Sequence, residues 1–278
     1  MAVCIGLSAM KHLFALLSLT LVLVAAEPPK GEPTNAKEAA AKKAAQDKLI
    51  DERYQALVSK LSPAEQAWEK VLQQQLGNFY LPLHKRGKVA GQSSAWDFVK
   101  NDPKLPRVLL IGDSVSRGYT QPARKALEGK ANVHRAPANC GPTASGLKNL
   151  DVWLGEGKWD VIHFNFGIHD RATPAADYVK RLEEIVVRLE KTGAKLIWAS
   201  TTPIPDNPAQ KQTAASIVEK NALAAEVMKK HGIPTDDLFG AMTPRLQEFQ
   251  PPLDVHFTGA GYDFLGATVG EAILSRLK

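Results

Sequence analysis

Residues 107–116 read RVLLIGDSVS. The apolar run Val108 to Ile111 gives way without a spacer to Gly112, Asp113 and Ser114. A short unbroken apolar run closed by glycine and polar residues suits a strand buried on both faces that stops at a turn. Ser114 and Ser116 are both candidate nucleophiles there. A serine hydroxyl works only with a base to take its proton, a group to orient that base, and donors for the developing oxyanion.

The same pattern recurs on either side. VHRAP at 133–137 is a weaker strand candidate, and WDVIHFNFG at 159–167 and KLIWASTTP at 195–203 are strong ones. Between the last two, DYVKRLEEIVVRLEKTG sets Leu182, Ile185, Val186 and Leu189 on one helical face. Further helices are expected over 211–230 and 260–277. Strands alternating with helices predict an α/β chain with a mostly parallel sheet covered on both faces. Ligands of such sheets gather outside the carboxyl ends of the strands. That puts GDSVS (112–116), NCGPT (139–143) and GIHDR (167–171) on one rim.

The N-terminal third reads differently. Lys11-His12 precedes the apolar run LFALLSLTLVLVAA, which ends at Ala26 before Glu27. This is the pattern of a signal peptide over 1–26, so the protein is expected to be exported, to a periplasm or the extracellular space. The run is short for a membrane span, and no stable membrane insertion is expected after cleavage. Residues 27–61 read as a flexible or helical linker: EPPKGEPTN (27–35) as flexible, the Ala/Lys/Gln-rich residues 36–60 as an exposed helix. Residues 62–106 read as a helical extension and connector. Ser62, Pro63 and Glu65 form a capping-box pattern before AWEKVLQQQLG, where Trp68, Val71 and Leu72 are expected to pack.

The chain has 278 residues, 44% of them hydrophobic, enough for one full-sized domain. Its formal charge of +6 is scattered and lacks basic–aromatic alternation, which argues against a nucleic-acid partner but tolerates an acidic glycan. Cys4 precedes the expected cleavage point and leaves Cys140 alone, so no intramolecular disulfide framework is available.

Of the seven histidines, His12 falls in the leader, and His84, His134 and His231 read as ordinary surface residues. His163 alternates with Ile162 and Phe164 in a strand and reads as structural. His256 differs: it lies in LDVHFTGAGY, two residues after Asp254, in a loop entering the last helix. Such a loop can return the imidazole to the strand rim with a carboxylate to hold it. Candidate oxyanion donors are the backbone N–H groups of Ser114 and Gly141, with His169 or Asn165 as the candidate side-chain donor. Asp113 is expected to fix the turn, Ser116 to cap the ensuing helix, Asn139 to support the glycine turn and Cys140 to be a small packed residue. Arg117 and Arg171 are solvated by default, with substrate contact as the alternative.

Taken together, residues 107–278 resemble the SGNH/GDSL hydrolase superfamily. The resemblance implies a three-layer α/β/α, flavodoxin-like fold with the N-terminal helices as an extension. It implies Ser114 as nucleophile, Gly141 as a backbone oxyanion donor and His256 as general base, with no metal or organic cofactor. Two blocks depart from the family pattern. Gly167-Ile168-His169-Asp170 stands where GxND is expected, so His169 replaces the oxyanion asparagine. In the DxxH block Leu253 occupies the acid's position, and Asp254 is the carboxylate available. The implied activity is serine-dependent ester hydrolysis through an acyl-enzyme, with a carbohydrate O-acetyl or other small ester as substrate. A non-catalytic carbohydrate-binding or structural module on the same fold is the alternative, and a metal-dependent hydrolase using His163, His169, Asp170 or His256 is a third reading. Nothing in the sequence bears on oligomeric state.

Overall fold

The structure, a computed structural model, describes residues 32–210 and 212–278. The expected signal peptide over 1–26 lies outside the described residues, as does linker segment 27–31. Residues from Gln46 onward form one compact unit, which holds the whole site.

The first helix, α1, spans Glu32–Val58, so residues 32–35 are helical where a flexible linker was expected. Pro33 falls in the first turn, where its missing N–H is not needed. From Ala36 most of the helix is exposed, and Tyr54 is fully buried. Helix α2 (Pro63–Gln75) starts with the expected capping box: the Ser62 hydroxyl accepts from the Glu65 N–H while the Glu65 carboxylate accepts from the Ser62 N–H. A second helix, α3 (Gly77–Val89), follows at once despite Pro82 in its interior. Leu72 and Leu76 pack with Trp96 of the connector, and the Trp68 indole donates to the Trp96 carbonyl at 2.7 Å.

Buried Glu69 ties these helices together. Its carboxylate meets the Tyr54 hydroxyl at 2.6 Å, His84 Nε2 at 2.8 Å and Lys88 Nζ at 2.6 Å. Burial alone would raise its pKa, but the hydrogen bonds from His84, Lys88 and Tyr54 outweigh it and hold the group at about 2. His84 is thereby corrected from a surface residue to a buried partner of this carboxylate.

The remaining elements, in chain order, are β1 (Arg107–Ile111), α4 (Ser114–Ala126), β2 (Asn132–Arg135), α5 (Thr143–Leu154), β3 (Val161–Phe164), α6 (Ala175–Glu190), β4 (Lys195–Ala199), α7 (Ala214–His231), β5 (Thr235–Asp236), α8 (Leu238–Met242), α9 (Leu246–Phe249) and α10 (Gly259–Leu277). The five strands are parallel in the order β2-β1-β3-β4-β5. This is the flavodoxin-like arrangement, and its order reverses between β1 and β3.

Side-chain alternation explains why helices cover both faces. Leu109, Ile111, Ile162, Phe164, Leu196 and Trp198 point to one side and pack with α5 and α6. There Leu182, Ile185, Val186 and Leu189 are fully buried, on the face their spacing predicts. Val108, Leu110, Val161, Ile197 and Ala199 point to the other side, against Tyr119 and Ala123 of α4 and Leu265, Val269 and Ile273 of α10. The connector is held to α4 by Gln121 and Arg124, which both donate to the Ser94 carbonyl.

Candidate active site

Ser114 is the first residue of α4, so its backbone N–H has no place in the helical ladder. Asp113 is the cap: its Oδ1 accepts from the Val115 N–H at 2.9 Å. The expectation that Ser116 caps this helix is corrected, because Ser116 lies inside it and its hydroxyl donates back to the Asp113 carbonyl at 2.8 Å. That hydroxyl is buried and also accepts from Arg135 Nη1 at 2.6 Å.

Arg135 organises the turn from beneath. Its Nη2 donates to the carbonyls of Gly112 (3.0 Å) and Asp113 (2.8 Å), so a buried guanidinium grips the backbone on the N-terminal side of Ser114. Burial lowers its pKa.

Across the switch point the late loop arrives as expected. His256 Nε2 lies 2.9 Å from Ser114 Oγ, and His256 Nδ1 lies 2.7 Å from Asp254 Oδ1. Asp254 also accepts from the His256 backbone N–H at 3.0 Å, and these bonds, the backbone one foremost, hold its carboxyl below the usual range. An ionised carboxylate only accepts, so the proton between them sits on Nδ1 and Nε2 is left to accept from the Ser114 hydroxyl. Leu253, in the position where the family pattern has the acid, takes a left-handed φ of 60°. This turns the chain sharply just before Asp254, at a cost of about 1 kcal/mol for a non-glycine residue.

The second block sits beside the first. Cys140 N–H donates to the Gly112 carbonyl at 3.1 Å, and Gly141 follows with φ +67°, a conformation that favours glycine. The Gly141 N–H has no partner among the described residues. Asp170, fully buried, anchors what comes next: it accepts from the Thr143 N–H at 2.7 Å, from the Thr143 hydroxyl at 2.8 Å and from the Thr173 hydroxyl at 3.2 Å. The third block is thus bolted to the helix start that follows Gly141.

Within that third block the two candidate side-chain donors part company. His169 is exposed, borders the same cleft as Ser114 and His256, and has no hydrogen-bond partner among the described residues. Asn165 turns inward, and both its amide protons are committed, to the Ala199 carbonyl (2.8 Å) and the Thr201 hydroxyl (2.9 Å). Asn165 is therefore corrected from a possible oxyanion donor to a brace between the ends of β3 and β4. Gly167 leaves no room in this region, since a Cβ there would lie 1.8 Å from Thr201 Oγ1.

Other polar residues are accounted for elsewhere. His163 is buried with its Nε2 2.9 Å from Asp236 Oδ2, the structural role its strand position suggests. Among the described residues no three His, Cys, Asp or Glu side chains come together as a metal site. Cys140 is buried, which pushes its thiol up to about 12 and keeps it from acting as a thiolate nucleophile. Asp170 and Arg135 have positioning roles that sequence reasoning missed. Arg135 closes the short strand NVHR, of which Val133 is the one apolar residue, so its burial has no signal in the local pattern.

The cleft over Ser114 measures 400 Å³. It is lined by Ser114, His169, Val255 and His256 of the α/β domain and by Phe79, Tyr80 and Leu83 of α3. Among the described residues no helix is long and apolar enough to cross a membrane.

Residues 110–264 match the GDSL-like Lipase/Acylhydrolase family. No curated protein matches the chain. Among solved structures, a lipase/acylhydrolase from Enterococcus faecalis is similar at 26% identity with a TM-score of 0.56, covering 62% of this chain and 97% of its own. A GDSL-like lipase from Bacteroides thetaiotaomicron is 17% identical, with a TM-score of 0.52 and coverage of 69% and 97%. An acetylxylan esterase from Geobacillus stearothermophilus is 14% identical, with a TM-score of 0.52 and coverage of 62% and 94%. The matched part is the three-layer domain.

Proposed function

Because this chain belongs to the GDSL-like lipase/acylhydrolase family and has serine-esterase chemistry, we propose that Ser114, His256 and Asp254 carry out the hydrolysis and that the natural substrate is a carbohydrate O-acetyl ester. The observation that carries the assignment is the unbroken relay from Ser114 Oγ through both ring nitrogens of His256 to Asp254.

His256 Nε2 takes the Ser114 proton as Oγ attacks the ester carbonyl, while Asp254 holds the imidazole and stabilises its positive charge. The N–H groups of Ser114 and Gly141 and the ring of His169 receive the oxyanion. Imidazolium returns the proton to the leaving alcohol, and water then attacks the acyl-serine by the same route to release the acid.

The acetylxylan esterase among the similar structures supports a short acyl group carried on a carbohydrate. The leader-like pattern of residues 11–26 supports an exported setting in which a glycan is at hand.

The test is turnover of p-nitrophenyl acetate, butyrate and octanoate together with acetate release from an acetylated oligosaccharide. The proposal expects acetate to be preferred in both formats. Faster cleavage of octanoate, with no acetate released from the glycan, would overturn the substrate assignment.

A further inference from the structure

The cleft carries a charge that ester hydrolysis does not require. Arg117, on the first turns of α4, and Arg171, just after His169, both border it, and none of the described residues lining it is a carboxylate, Asp254 behind His256 being engaged by that ring. Neither arginine has a carboxylate partner among the described residues. The Arg117 guanidinium lies over the Tyr80 ring at 5.5 Å, and Arg171 spends Nη1 on the Ile168 carbonyl at 2.8 Å. Elsewhere on the surface, Lys85 pairs with Asp51, Arg86 with Asp47 and Arg188 with Asp151. The two cationic heads at the cleft thus keep donors for something the protein does not supply.

Next to Tyr80 on the same cleft is Phe79 of α3, 70% exposed and edge-on to Tyr80 at 4.8 Å. An aromatic face left open beside a serine-centred cleft offers a flat apolar surface to a ring, while the guanidiniums offer forked donors to a carboxylate. The helical extension contributes the aromatic half of this arrangement and the α/β domain the cationic half.

We propose that the cleft selects esters carried on an acidic sugar, with Arg117 and Arg171 engaging a uronate carboxylate and Phe79 and Tyr80 supporting the sugar ring. This rests on the carbohydrate-esterase reading above and narrows its substrate to an anionic glycan. Because Arg117 is exposed, the preference weakens as salt screens it.

The test is calorimetric binding of an O-acetylated oligogalacturonide and of its methyl ester, in which the carboxylates are masked, to S114A protein at low and at 0.5 M salt. The acid is expected to bind about tenfold more tightly than its methyl ester. That margin should shrink in high salt and disappear in S114A carrying R117Q and R171Q, with thermal melting confirming that the variants remain folded. Equal affinity, no binding of either compound, or a margin that survives R117Q and R171Q would overturn the inference. Since binding is read without turnover, failure of the unmodified protein to release acetate would count against the esterase assignment and leave the charge preference standing.

Discussion

The Asp170 carboxylate accepts from both the backbone N–H and the hydroxyl of Thr143, locking the turn after β3 to the first residue of α5. Gly141 lies two residues before that anchor, so in the proposed mechanism Asp170 positions a backbone oxyanion donor without touching the reacting atoms. Replacing Asp170 by Ala leaves a buried N–H and hydroxyl without partners. D170A should lose roughly tenfold to a hundredfold in kcat on p-nitrophenyl acetate with KM little changed. D170N, which can still accept from Thr143, should recover part of the loss. An effect confined to KM or to thermal stability would contradict the positioning role.

His169 stands where the family pattern has asparagine, and its ring is unengaged at the mouth of the cleft. H169A should reduce kcat by about a hundredfold, the usual consequence of losing one oxyanion donor. H169N should restore most of it, because the amide N–H is the donor that the family pattern implies. Steady-state kinetics on a small acetate ester checks both, and an H169A enzyme with unchanged kcat would leave the oxyanion to the two backbone N–H groups alone.

Glu69 is held at about 2 in the folded protein against an ordinary 4.5. A carboxyl whose folded pKa is depressed stabilises the fold above its unfolded pKa and loses that contribution as pH falls toward the folded one. The difference corresponds to roughly 3 kcal/mol at neutral pH. Urea unfolding should therefore show E69Q less stable than the unmodified protein by about that amount at pH 7, with the gap closing between pH 4.5 and 2. A gap that stays constant across this range would contradict the account of the Tyr54–Glu69–His84–Lys88 cluster.

Much of the fold is legible in the sequence because it rests on local pattern. The runs around Val108–Ile111, Ile162–Phe164 and Leu196–Trp198 announce buried parallel strands, and the spacing of Leu182, Ile185, Val186 and Leu189 announces a covering helix. The pairing of Ser114 with His256, 142 residues apart, follows from placing each at a strand rim. What escapes is whatever depends on long-range partners or broken pattern. Helix α3 carries Pro82 and mixes Phe79, Leu83 and charged residues without a clean apolar stripe, so neither its existence nor its place on the cleft is visible beforehand. The commitment of Asn165 to Ala199 and Thr201, the grip of Arg135 and the burial of His84 each depend on a residue brought near only by folding. The left-handed conformation of Leu253, just before Asp254, has no signal of its own, since glycine or asparagine is the usual mark of it.

The most direct measurement is covalent labelling with a fluorophosphonate followed by peptide mapping. The account predicts one adduct, on Ser114, absent from S114A and formed far more slowly in H256A, with ester turnover lost in parallel. An adduct on Ser116, or labelling and turnover that persist in S114A, would contradict it.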